Sequence, residues 1–200
     1  ERRMSTLKVN KLQKTVSGAA TFTLPTADGT TGQYMKTDGS GQLGWSSDRL
    51  FYSYAIIADQ KAAGTDGGTF TSGAWQTRDL QTEIADPDGM VSISANEFTL
   101  AAGSYLIKWS CPAFTVNSHK ARLYDVTGSA SVGMGIPQWS GSSSITNTSI
   151  GAARVSPSGS NVYRIEHRCS LTHASQGFGV SANFSEPEIY TLVEIFKEAS

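Results

Sequence analysis

Charge is scarce in this chain. Of 200 residues only 16% are Asp, Glu, Lys or Arg, where about 25% is usual. Sixteen cations against 17 anions leave a formal net charge of −1. Such a chain offers little attraction to a polyanion, so neither nucleic acid nor an anionic membrane is expected as a partner. Long hydrophobic runs are also missing. Nothing approaches the run of about 18 apolar residues that a spanning helix needs, so membrane insertion is not expected. The first eight residues, Glu1-Arg2-Arg3-Met4-Ser5-Thr6-Leu7-Lys8, lack the apolar centre of a signal peptide, and Met4 reads as a start residue. Two cysteines, Cys111 and Cys169, are too few for a disulfide framework.

Gly, Ser and Thr are plentiful, about a third of the chain, which favours strands joined by tight turns over helices. The chain divides near Trp45 into residues 1–48 and 49–200. Residues 1–48 carry few bulky apolar side chains and many Gly, Thr and Asp, so they cannot bury a core as a single copy. Asp28-Gly29 and Asp38-Gly39, ten residues apart, predict a repeated turn–strand unit. Upstream, residues 5–12 alternate apolar and polar, predicting a strand with one face that only a second copy could cover.

Residues 49–200 differ. Segments rich in Val, Ile, Tyr and Phe recur between turn residues. The pattern predicts strands over 51–58, 74–78, 82–84, 90–94, 97–100 and 103–113. It predicts more over 120–125, 131–138, 146–155, 161–170, 177–183 and 188–197. Asp86-Pro87-Asp88-Gly89 and Ser156-Pro157-Ser158-Gly159 are legible turns. About ten strands with no amphipathic helix predict an all-β fold: an antiparallel jelly-roll sandwich knob, preceded by a short β-rich segment. The most apolar strands are the first and the last of the knob, which predicts that they pair in the middle of one sheet.

Leu24-Pro25 through Gly32-Gln33 and Thr37-Asp38-Gly39-Ser40-Gly41 to Trp45 resembles a module common in bacteriophage tail-fibre proteins. Met4 to Asn10 is similar to the starts of small structural proteins of cyanophages. Phe98 to Ile107 and Tyr190 to Phe196 resemble the trimeric jelly-roll head of complement globular heads and tumour-necrosis-factor ligands. No collagen-like run precedes that head. The resemblance implies a homotrimer on the virion, at the tail or the capsid surface. It would attach to other virion proteins and trimerise through Leu7, Val9, Leu12, Leu24 and Trp45. Made in a reducing host cytoplasm, such a protein would keep Cys111 and Cys169 as free, buried thiols. Its function would be attachment, with a head fibre or capsid-decoration protein that binds coat protein as the alternative. A polysaccharide depolymerase spike is a further alternative, although no long β-helix repeat is visible.

Nothing points to catalysis. There is no Gly-x-Ser-x-Gly elbow, no His-Glu-x-x-His and no phosphate loop. Glu83, Asp86, Glu97, Glu166 and Glu186 are scattered, with no glycosidase pair singled out. His167 and Cys169 share one face of a predicted strand, but no third ligand is near in sequence, so no metal and no cofactor are expected. Asp86 and Asp88 read as turn residues rather than calcium ligands. The best binding candidate is the loop from Gln138 to Asn147. Its Trp139, with Ser142, Ser143 and Asn147, offers a flat apolar face and adaptable hydrogen bonds, suited to host surface carbohydrate or protein. Asn117 and His119 in a predicted loop, and Gln176 in a turn, are secondary candidates. Trp75 and Trp109 are expected in the core or at a subunit contact.

Overall fold

The computed structural model describes residues 9–13, 21–47, 51–141 and 143–199, and every regular element among them is a strand. The chain divides into two compact units, Glu1–Arg49 and Leu50–Ser200.

In the first unit β1 (Lys11–Gln13) pairs antiparallel with β2 (Thr21–Thr23), and β3 (Tyr34–Thr37) with β4 (Leu43–Ser46). The two ladders are joined where the Thr23 N–H donates to the Gly41 carbonyl at 2.8 Å. Asp38 closes the β3–β4 turn. Its carboxylate accepts from the Ser40 hydroxyl and the Ser40 and Gln42 N–H groups, which hold its pKa below the usual range. Asp28-Gly29 does not turn a hairpin, contrary to the repeat read from sequence. Gly29 instead lies against the Trp45 indole, where a Cβ would come within 2.6 Å of the ring. Trp45 Nε1 donates to the Ala27 carbonyl at 2.8 Å. Trp45, half-buried, thus latches β4 to the Ala27–Gly29 segment, while Leu12, Phe22, Tyr34 and Met35 stay exposed. Of the predicted attachment residues, Val9 and Leu12 are exposed, Leu24 and Trp45 are half-buried, and Leu7 lies outside the described residues.

The second unit is a sandwich of two antiparallel sheets, as the alternating pattern predicts. Its elements are β5 (Phe51–Lys61), β6 (Gln76–Thr77), β7 (Thr82–Ala85), β8 (Val91–Ser94), β9 (Glu97–Leu100) and β10 (Tyr105–Phe114). They continue as β11 (Asn117–Asp125), β12 (Ala130–Met134), β13 (Gln138–Ser140), β14 (Thr146–Val155), β15 (Asn161–Cys169) and β16 (Glu188–Glu198). One sheet runs β14-β10-β16-β5-β7. The other runs β12-β11-β15-β9-β8, with β13 on β11 and β6 on β15. The first and last strands of the unit do pair, Ala55 opposite Ile195 and Ile57 opposite Val193. The inward faces meet in a core of Ile57, Phe98, Ile107, Trp109, Leu123, Tyr163 and Ile195, all essentially buried. Each such side chain contributes about 1.5–3 kcal/mol. Gly151 lets the Trp109 ring lie flat on β14, because a Cβ there would meet the indole at 2.2 Å.

Three expectations change. Residues 177–183 form no strand: Gly177 is packed on Phe70 and Gly179, at φ +140°, on the Tyr190 ring, so the chain follows side chains rather than a ladder. The strand over 131–138 ends at Met134, because Gly135 turns in to donate to the Ala121 carbonyl, and β13 resumes at Gln138. The loop expected around Asn117 and His119 is instead the start of β11. The chain reverses in the short turn before it, with positive φ at Thr115 and Asn117.

Candidate functional site

The β10–β11 turn gathers loops at one end of the sandwich. Phe114 N–H donates to the Gly177 carbonyl and Thr115 N–H to the Ile145 carbonyl, so Ile145 and the segment 170–179 lie beside it. The chain enters the unit at the other end, where Phe51 pairs with Glu198 and Lys197 with Tyr105.

The structure brings part of the predicted site together here. Trp139 is 58% exposed on β13. Asn147 Nδ2 donates to its carbonyl at 2.5 Å, which fixes the base of the loop. Asn117 is half-buried and pairs in register with Ser140, and Ser143 is exposed. Ser142 lies outside the described residues. Gln176 is spent on a hydrogen bond to Asp66 at 3.0 Å. His119 does not belong to this surface. It points inward, 3% exposed, because it occupies an inward position of β11.

Its ring meets His167 across the β11–β15 ladder, Nδ1 to Nε2 at 3.0 Å, and His167 packs on Phe70. The far nitrogens of the pair, His119 Nε2 and His167 Nδ1, are buried without a partner. Burial, then the nearby Arg78 charge, push His119 down to about 4 and His167 well below the ordinary value. Both rings are thus neutral in the fold, while in the unfolded chain they take up protons near pH 6.5. Below that pH the unfolded state binds more protons. Stability is therefore expected to be full above pH 6.5 and to fall steadily as the pH drops towards 4. The loss from His119 is about 2–3 kcal/mol at pH 4. Urea melts at pH 7.5 and 4.5 check this, and a His119→Gln/His167→Gln chain should lose the pH slope over that window.

Beside the pair lies Arg78, fully buried. Its Nε donates to Thr191 Oγ1 at 2.8 Å, its Nη atoms to the Pro112 and Phe178 carbonyls at 3.2 Å, and its guanidinium sits 4.2 Å over the Phe178 ring. Burial lowers its pKa, opposed by Cys111, Asp59 and Asp79. Cys111 and Cys169 are free and buried, with burial pushing their thiols up to about 12 and about 11. Both are therefore inert at neutral pH. Asp86 spends its carboxylate on the Met90 and Val91 N–H groups and Asp88 accepts from the Ser53 hydroxyl, as structural turn residues do.

The outward faces of the two sheets contrast. On the five-stranded sheet, register aligns Leu106, Phe196 and Tyr54 in one row and Ile150, Ser110 and Leu192 in another. Between them Lys108 and Glu194 neutralise each other at 3.2 Å. Met134, Ile136, Ile150 and Leu192 line an apolar groove of about 480 Å³ on this side. The seven-stranded sheet carries charge instead. Glu166 accepts from both Arg122 and Arg164, Arg164 also reaches Glu97 at 3.2 Å, and the Arg122 guanidinium lies 4.1 Å over the Trp75 ring. Trp75 is thus on this outer face, while Trp109 is in the core.

No family model matches the sequence. No curated protein matches it either. Among solved structures the chain is similar to the Eiger TNF of S. frugiperda at 15% identity and a TM-score of 0.53, over 76% of this chain and 95% of that one. It is also similar to the globular domain of zebrafish complement 1qA, at 13% identity and 0.47, over 72% and 96%. A third likeness is to the PRD1 vertex protein P5, at 13% identity and 0.45, over 74% and 99%. The first of these shows the fold: the second unit is a jelly roll of the tumour-necrosis-factor type.

Proposed function

We propose that this protein is a trimeric virion fibre component whose first unit attaches it to other virion proteins and whose jelly-roll knob binds a host surface. The observation that carries the reading is the amount of apolar surface each unit leaves uncovered by its own chain. In the knob Met134 of β12, Ile136 and Ile150 of β14, each about half exposed, lie together along one apolar groove with Leu192. A contiguous apolar face of this kind marks an interface, and a closed ring of three copies covers it without leaving an edge for further growth. In the first unit Leu12, Phe22, Tyr34 and Met35 are likewise uncovered, on a fold too small to stand well alone.

The polarity along the knob supports attachment to a host. The chain enters at the Phe51 end, and the loop end carrying Trp139 is opposite. Three weak sites per knob and several knobs per particle convert modest contacts into firm adsorption. Among the described residues no helix is long and apolar enough to cross a membrane. The virion assignment itself rests on the fibre-like module from Leu24 to Trp45, in which the Asp38 carboxylate closes a turn and the Trp45 indole is latched to the Ala27 carbonyl. The test is competition: purified full-length protein should reduce adsorption of the phage that carries it in a dose-dependent way. Undiminished adsorption at saturating protein, with antibody labelling confined to the capsid, would instead favour the decoration role.

A further inference from the structure

We propose that the outer face of the seven-stranded sheet, between Trp75 and Trp139, binds a carboxylate-bearing sugar through Lys120 and Arg168. This rests on the host-surface reading and names the chemistry of the ligand.

Lys120 and Arg168 stand directly opposite each other in the β11–β15 register. Residues so placed have Cβ atoms about 5 Å apart, and like charges there are destabilising. Neither side chain forms an ion pair with any described residue. Their neighbours on the same face are treated differently. One row along, Arg122 is opposite Glu166 and bonded to it, and the next row's Arg164 is bonded to Glu166 and Glu97. The face therefore holds four cations against two carboxylates, and the excess is concentrated at one pair. An anion between Lys120 and Arg168 would complete the alternation, with the guanidinium fork and the ammonium converging on one carboxylate.

The surroundings select a sugar. Trp75 and Pro137 line the same shallow groove, of about 340 Å³, together with Ser118 and Ser170. Trp75 has one ring face covered by the Arg122 guanidinium, which fixes the indole in place. In the adjoining row Ser118 is opposite Trp139, so an exposed indole flanks the cations on their other side. The Trp75 ring, two hydroxyls and a cation pair in one groove, with the exposed Trp139 beyond Ser118, match a pyranose ring with a carboxylate. A bare inorganic anion would leave the apolar side of the groove, Trp75 and Pro137, unused. Sequence reasoning reached Trp139 but not its partners, because Lys120 and Arg168 meet only through the β11–β15 register.

Calorimetric titration of the full-length protein with a galacturonate hexasaccharide tests this, alongside its methyl ester, which keeps the rings and removes the charge. The acid form should bind. The ester, and the acid form added to a Lys120→Gln/Arg168→Gln chain, should bind about 10- to 100-fold more weakly. Trp139→Ala should cost about 3- to 10-fold. The double variant should melt at or above the temperature of the unchanged protein, because it relieves a like-charge pair, so its loss of binding is not a loss of fold. No binding of the acid form, equal binding of acid and ester, or undiminished binding by the double variant overturns the proposal. Cell adsorption is read separately. Adsorption that survives Lys120→Gln/Arg168→Gln contradicts the acidic-sugar site and leaves host binding standing, whereas uronate binding without any adsorption contradicts host binding alone.

Discussion

Ile150→Asp is expected to break the assembly into folded monomers. Ile150 is 49% exposed in one chain, so the substitution costs the isolated knob little. It lies on the outer face of the five-stranded sheet, beside the groove formed with Met134, Ile136 and Leu192. If copies meet on this face, each interface would bury an unpaired carboxylate, at a cost of about 3 kcal/mol or more per contact. Lys108 is the nearest cation in the groove, but it is already paired with Glu194. Light scattering should therefore read one chain, 21.3 kDa, with the far-ultraviolet circular dichroism of the unchanged protein. Arg168→Gln, on the other sheet, should leave the mass alone. An Ile150→Asp chain that stays assembled would exclude this face as the interface.

Arg78→Ala is expected to be the most damaging single change within the knob. The guanidinium ties the 170–187 loop, through the Phe178 carbonyl, to two neighbouring strands of the five-stranded sheet, at Pro112 on β10 and Thr191 on β16. Its removal leaves two carbonyls and a hydroxyl unsatisfied, opens a cavity and strips the cover from the Phe178 ring. The expected loss is about 3–5 kcal/mol, or about 10 °C in melting temperature for a unit of this size. Arg78→Lys keeps the charge but not the fork, and should recover only part of the loss. A melting temperature within a degree or two of the unchanged protein would show that the 170–187 loop is held by other means.

Most of the sandwich was legible because its signal is local. Alternation at 97–100, 103–113 and 146–155 marks strands whose every second residue enters the core, and the pairing of β5 with β16 follows from their being the two most apolar strands. Failures came where distant packing overrode local pattern. The apolar residues at 177–183 resemble a strand, but Gly177 and Gly179 are committed to Phe70 and Tyr190. The site followed the same division. Trp139 stood out by composition alone, as a large ring in a Ser/Gly loop. His119 was misplaced outside, because its burial depends on meeting His167, 48 residues away, across a ladder. Arg78 carried no sequence signal for burial: a single arginine at the end of the predicted strand 74–78 reads as surface, and only the fold supplies its three acceptors.

The central claim is that the knob's uncovered apolar face is a contact between copies of this chain. The most direct test is the solution mass of the full-length protein by light scattering at micromolar concentration. The account predicts about 64 kDa, three times the 21.3 kDa chain, unchanged on tenfold dilution. A mass of 21.3 kDa, with the apolar face open to water, would contradict it.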